Sequence, residues 1–168
     1  MTRYEIAPER SKVEIHARSS VHPIHSRTDG LEGYLELELR DGRVDLTVPP
    51  HAHLVLPVAR LRSGNPLEER ELKRRIDARR FPTIEGDLAE MQATDVEDRY
   101  LVRGAVTFRG ERRTHEDELT IESVDDDTIR LVGTSTFDVR DFGMEPPRIL
   151  LLRVEPEVKV TVEIVAVR

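Results

Sequence analysis

The chain has 168 residues, of which 38% are hydrophobic and 35% charged, with a formal net charge of −7 and no cysteine. That length suits a single domain over residues 1–168 with a sizeable core. The absence of cysteine excludes a disulfide framework and a thiolate metal site, and the acidic balance argues against nucleic acid or an anionic membrane surface, both of which select positive charge.

The basic residues are nearly all arginine, with lysine only at Lys12, Lys73 and Lys159. Guanidinium forks suit carboxylates and phosphates; codon bias in a GC-rich genome is the plainer account. No run approaches the roughly 20 apolar residues of a membrane span. The first fifteen positions pass directly into Arg3, Glu5, Glu9 and Arg10 where a secretory signal would carry an apolar stretch. The expectation is a soluble, cytoplasmic protein with no membrane insertion.

In chain order, period-two alternation dominates. Val13, Ile15 and Ala17 share one face, against Glu14, His16 and Arg18. Leu31, Leu35, Leu37 and Leu39 share a second, and Val44, Leu46 and Val48 a third after the turn at Asp41-Gly42. Asn65 to Ala78 breaks the rule and predicts a helix from about Pro66 to Ala78. Asn65 is an N-cap, Pro66 suits the first turn, Glu68 and Glu69 complement the dipole, and Leu72 and Ile76 are four apart. Pro82 marks a strand starting at Thr83. Tyr100, Val102, Val106 and Phe108 form another face, and Gly110 sits where a hairpin needs positive φ. Ile129, Leu131 and Phe137 follow; Asp141 and Gly143 then break the strand and leave Phe142 and Met144 on a bend. Val158, Val160, Val162 and Ile164 close the series. Alternation with regularly spaced turns predicts an all-β antiparallel barrel or sandwich.

Three signatures in fixed order carry a family resemblance: Phe81-Pro82-Thr83-Ile84, then Val106-Thr107-Phe108-Arg109-Gly110-Glu111-Arg112, then Phe137 to Met144. With the opening Tyr4-Glu5-Ile6 and Ser11-Lys12-Val13-Glu14-Ile15, the chain resembles the YceI-like, or polyisoprenoid-binding, family over nearly its whole length. The resemblance implies a single lipocalin-like antiparallel β-barrel with one helix, enclosing a long apolar cavity for an isoprenoid or fatty-acyl chain. One region departs from the family: its Arg-Asp-x-His-Leu element corresponds here to Glu69-Arg70-Glu71-Leu72, and only Asp77 matches its Phe-Phe-Asp element.

The expected function is to bind or carry a lipophilic small molecule with a long apolar tail: a polyisoprenoid, an isoprenoid quinone or a fatty-acyl compound. Burying each methylene contributes about 0.8 kcal/mol, so a long tail binds without polar contacts; the competing possibility is a barrel filled by its own side chains. Tyr34, Leu35, Leu56, Phe108, Phe137, Phe142 and Met144 are the candidates for tail contacts, with Arg140 and His22 for a polar head group or the rim. Arg140 can instead pair with Asp138 or Asp141. The alternative is a metal site, and a metal-dependent enzyme, built from His22, His25, His51 and His53, with His16 or His115 as further donors. His51 and His53 share a face if they lie on a strand, but no carboxylate follows at cupin spacing. The Ser19–Ser26 stretch carries hydroxyls and imidazoles, yet no Gly-x-Ser-x-Gly elbow occurs. Glu36, Glu38, Glu116, Asp117, Glu118 and Asp125 to Asp127 read as solvated faces and turns. No enzyme activity and no cofactor are expected. Ile149 to Leu152, flanked by Pro146-Pro147, suits a homodimer contact.

Overall fold

The alternating rows close on themselves as an antiparallel barrel. The structure, a computed structural model, describes residues 1–149 and 151–168. Its strands are β1 (Thr2–Ile6), β2 (Lys12–Ser19), β3 (Ile24–Thr28), β4 (Glu32–Leu37), the short pair β5 (Leu39–Arg40) and β6 (Arg43–Val44), and β7 (His51–Pro57). After the helix α1 (Pro66–Ile76) come β8 (Thr83–Ala93), β9 (Arg99–Phe108), β10 (Glu111–Ser123), β11 (Thr128–Asp138), β12 (Arg148–Ile149) and β13 (Leu152–Val167). The main sheet runs β1-β4-β7-β8-β9-β10-β11-β13-β2-β3, and β13 also pairs with β1. Strand β2 continues the line of β1 beyond the 3-10 turn at Pro8–Arg10, and β3 runs into β4, so the closed ring has eight strands.

Closure rests on β13. One edge pairs with β11 from Thr128↔Val167 to Asp138↔Glu157. The other pairs with β2 from Val154↔Ser19 to Glu163↔Lys12, then with β1 at Ile6↔Ala166 and Glu5↔Val167. The turn at Pro8–Arg10 interrupts this second ladder, and buried Ser11 fills the gap. Its hydroxyl donates to the Val165 carbonyl at 3.3 Å and accepts from the Val165 N–H at 3.0 Å, so the interrupted backbone groups stay paired.

The antiparallel order gives the barrel two unlike ends. At one lie the N-terminus, the turns after β8 and β10, and the β5–β6 pair. Here Tyr4, Leu37, Tyr100, Ile121, Ile129 and Ile164 fill the interior, and all are buried. The Tyr100 hydroxyl accepts from the Val44 N–H at 3.1 Å. At the other end lie the β2–β3 loop, α1, the β9–β10 turn and the segment from Val139 to Ile149.

The helix matches its capping signals. Asn65 accepts from the Leu67 N–H at 3.0 Å, and the chain leaves the helix through Asp77 in the left-handed region at φ 59°. Arg109 and Gly110 both have positive φ (52° and 73°), as a two-residue hairpin turn with primed geometry requires. The expected strand face Val44–Leu46–Val48 shrinks to Arg43–Val44. The Asp45 carboxylate accepts from the Thr47 N–H at 3.0 Å and the Thr47 hydroxyl at 2.6 Å, which folds the chain into a turn, and Pro49-Pro50 have no donor to extend a ladder. The dimer contact expected at Ile149–Leu152 includes Leu150, which lies outside the described residues.

The filled end is the stability reservoir. Ile129, at 0% exposure, truncated to alanine is expected to cost about 2–5 kcal/mol, read as a lower urea midpoint with unchanged slope. Val21→Ala, on an exposed loop, is expected to stay within about 0.5 kcal/mol of the parent.

Candidate ligand cavity

Inward-facing residues decide where the barrel is solid and where it is hollow. Towards the α1 end, the inward rows reach glycine on three strands: Gly86 on β8, Gly104 on β9 and Gly133 on β11. Where the filled end presents tyrosine and isoleucine, these positions present no side chain. The result is a cavity of about 410 Å³, within the size range of small-molecule sites. The glycines differ in kind. A Cβ on Gly104 would lie 2.4 Å from the Asp87 carbonyl oxygen, so close strand approach requires glycine there. A Cβ on Gly86 would meet nothing nearer than Leu54 Cβ at 3.9 Å, so that position is empty volume.

The open end is partly roofed. Leu72 and Ile76 of α1 face the cavity, and aromatic rings gather beside them: Phe108 and Phe142 at 5.6 Å between centroids, Phe137 and Phe142 at 6.4 Å. Two arginines tie the roof down. Arg109, at the β9–β10 turn, donates from Nη1 to the carbonyls of Phe142 and Gly143, which holds the 3-10 turn Val139–Phe142 across the mouth. Arg75 donates to Glu71 at 2.7 Å within α1 and to Glu145 at 2.8 Å beyond it, joining the helix to the same segment.

One polar cluster interrupts the apolar wall. Strands β10 and β11 pair from Ser123↔Ile129 as far as Leu119↔Gly133 and then part. Beside the opened seam stand His115, Asp117 and Ser135, all on the cavity wall. The Ser135 hydroxyl donates to Asp117 Oδ2, and His115 Nε2 lies 2.5 Å from the same oxygen. That contact is off the ring N–H direction, so buried His115 Nε2 has no hydrogen-bond partner. The imidazole stacks on Phe137 with centroids 4.2 Å apart.

The structure brings Leu35, Leu56, Phe108, Phe137, Phe142 and Met144 to the cavity wall. Tyr34 is placed elsewhere. As the strand neighbour of inward Leu35 it turns outward, with the Arg3 guanidinium 3.8 Å over its ring and His53 beside it. Arg140 is exposed and bound to Asp138 at 2.7 Å, away from the cavity. His22 is exposed on the β2–β3 loop with Nδ1 3.0 Å from the Pro23 carbonyl. Ser19 in that loop accepts from the His22 N–H at 3.0 Å, a turn role for the hydroxyl.

The alternative metal set does not converge. Among the described residues, no three or more His, Asp or Glu side chains are placed to hold an ion. His51 and His53 share the outer face of β7; His53 pairs with Asp87 at 2.7 Å. His25 packs edge-on against His16 at 4.4 Å across β2 and β3. Hydrogen bonds from His53, then Arg112, hold the Asp87 carboxyl below its ordinary value against the opposing effect of burial. The cluster at His115, Asp117 and Ser135 is the feature that composition concealed. Within Glu116-Asp117-Glu118, only Asp117 shares the inward parity of Leu119 and Ile121, and that parity was the available signal.

Filling the void tests whether it is the binding volume. Gly86→Leu is expected to keep the strand signature in circular dichroism while losing most uptake of an apolar fluorophore; undiminished uptake would place binding elsewhere. A second substitution separates structure from recognition at Arg140. Its guanidinium, followed by its backbone N–H, holds the Asp138 carboxyl below the ordinary 3.8. Such a depressed acid contributes stability above its unfolded pKa and loses it as pH falls through the folded one. Arg140→Ala is therefore expected to raise the Asp138 pKa in an NMR titration and lower stability at neutral pH. The gap from the parent should close in strong acid, with fluorophore uptake unchanged.

Comparison with known proteins agrees with this architecture. The model of the YceI-like domain matches residues 4–166. BcnA of Burkholderia cenocepacia superposes with a TM-score of 0.78 at 16% identity, covering 95% of this chain and 98% of that one. A polyisoprenoid binding domain from Saccharophagus degradans, implicated in plant cell wall breakdown, gives 0.76 at 11% identity, covering 98% and 97%. The YCEI protein of Campylobacter jejuni gives 0.69 at 11%, covering 85% and 84%. No curated protein matches significantly by sequence. With the family model spanning nearly all of the barrel, and the same fold in three solved relatives, the chain belongs to the YceI-like family.

Proposed function

We propose that the protein binds and carries a lipophilic molecule whose long apolar tail, of polyisoprenoid, isoprenoid-quinone or fatty-acyl type, lies inside the barrel. The observation that carries this reading is the hollow itself: about 410 Å³ walled mainly by aliphatic and aromatic side chains at one end of a barrel whose other end is filled. Water in such a space finds few hydrogen-bond partners, so an apolar chain displaces it at no polar cost. The solved relative from Saccharophagus degradans is described as a polyisoprenoid binding domain, and this chain shares its fold. Leu35, Leu56, Phe108, Phe137, Phe142 and Met144 are the proposed tail contacts. The protein is a carrier with no chemical step of its own.

The outside of the barrel suits contact with water. The outward row of β10 carries Arg112, Glu116 and Glu118, and cross-strand pairs such as Arg103–Glu90 (2.5 Å) and Arg130–Glu163 (3.1 Å) lie on the outer surface. A lipid-facing barrel wall is an apolar band. Among the described residues, no helix is long and apolar enough to cross a membrane.

Protein purified from its host is expected to show, in native mass spectrometry, a mass excess that denaturant releases as an extractable lipid. After delipidation, a prenyl ligand at about a hundredfold over its Kd should add about 2.7 kcal/mol and raise Tm. Identical native and denatured masses, with no apolar ligand raising Tm, would overturn the carrier reading.

A further inference from the structure

The carrier reading leaves three head-group chemistries open, and the charges around the cavity discriminate among them. Among the described residues, no lysine or arginine lines the cavity. Its ionisable wall residues are acidic, apart from His115. Glu85, Asp87 and Glu118 adjoin it from strand positions whose side chains alternate outward, as the Asp87–His53 contact shows. Asp117 stands in the inward row, and Glu68 and Glu155 stand at the rim. A ligand carboxylate or phosphate drawn into this space would meet like charge and no cation, in surroundings where apolar walls weaken solvent screening.

Asp117 also has capacity to spare. Ser135 donates to Oδ2 and His115 Nε2 lies against the same oxygen, and among the described residues no donor reaches Oδ1. A carboxylate in a largely apolar wall is costly unless its lone pairs are used. A ligand hydroxyl is the group that satisfies it without introducing charge. The opened seam between β10 and β11 places this oxygen beside Phe137, among the rings proposed to hold the tail.

We infer that Asp117, oriented by the Ser135 hydroxyl beside His115, is a head-group site that accepts a hydrogen bond from a hydroxyl on an uncharged amphiphile, and that the cavity rejects anionic amphiphiles of the same tail. This rests on the carrier reading and narrows it: a prenol- or quinol-type head is favoured over a fatty acid or a prenyl phosphate.

The test uses the full chain at about pH 8, where a free carboxylic acid is ionised. Bound phenylnaphthylamine, an uncharged apolar fluorophore, is displaced by farnesol, farnesoic acid or farnesyl methyl ether, which share one tail. Farnesol is expected to displace it at a concentration about tenfold below either of the others. In Asp117→Asn, which removes the charge and keeps an oxygen acceptor, the acid should gain and the alcohol should stay within a few fold. Equal displacement by all three ligands would overturn the inference and leave the carrier reading standing. So would a preference for the acid, or an Asp117→Asn variant that still binds the fluorophore and discriminates as the parent does. Failure of both the fluorophore and every prenyl compound to bind would instead remove the carrier reading and this inference with it. The ligand comparison on the unaltered protein decides the point even if the variant does not fold.

Discussion

Everything in this molecule depends on one strand pairing along both edges. The sixteen residues of β13 take β11 on one side and β2 followed by β1 on the other. Without that second ladder the sheet would be an open ribbon with two long unpaired edges, and no interior would exist. The price is a kink, because β1 and β2 must share a single edge around the turn at Pro8–Arg10. Buried Ser11 repairs the missing ladder bonds there. A hydroxyl both donates to the Val165 carbonyl, which the Ala7 N–H also reaches at 2.9 Å, and accepts from the Val165 N–H, and alanine at that position would leave that N–H unpaired.

Closure makes an inside; side-chain size decides what the inside is. The same inward parity that delivers Tyr4, Tyr100, Ile121 and Ile129 to one end delivers Gly86, Gly104 and Gly133 towards the other. One barrel therefore contains a conventional core and a void in series. The core stabilises the fold, so the cavity end does not have to be filled by the protein's own side chains. The roof follows the same economy. A hairpin residue with positive φ, Arg109, reaches the carbonyls of Phe142 and Gly143, and Arg75 reaches Glu145. Polar bonds at the rim thus position the apolar residues Phe142 and Met144 over the opening.

Charge is sorted by the wall. The many arginines lie outside, where they pair with glutamates and aspartates across strands and around turns; exposed pairs of that kind contribute little stability each. Asp117 is the carboxylate turned inward from a strand otherwise edged with charge, and its surroundings give it a different role from that of Glu116 and Glu118 beside it.

Much of this was legible in the chain. Alternation is a local property, so the strand rows around Val13, Leu35, Tyr100 and Val160 could be read directly, as could the helix from Asn65 and Pro66 and the turn at Gly110. The ordered signatures mark where strands start, turn and stop, and the family resemblance they carry implied the barrel and its apolar ligand. Other features required the tertiary structure. Alternation says that Tyr34 and Leu35 face opposite ways but not which way is in, and the ring of pairings chose Leu35. Local sequence could not say whether Val44 to Val48 would find a strand partner, and the Asp45 turn prevailed. Nor could composition tell a hollow barrel from a filled one, since the cavity arises where glycines from three separate strands meet. Likewise, His22 and His25 do not converge with His51 and His53, because distance around a barrel is set by strand order, which no spacing along the chain encodes.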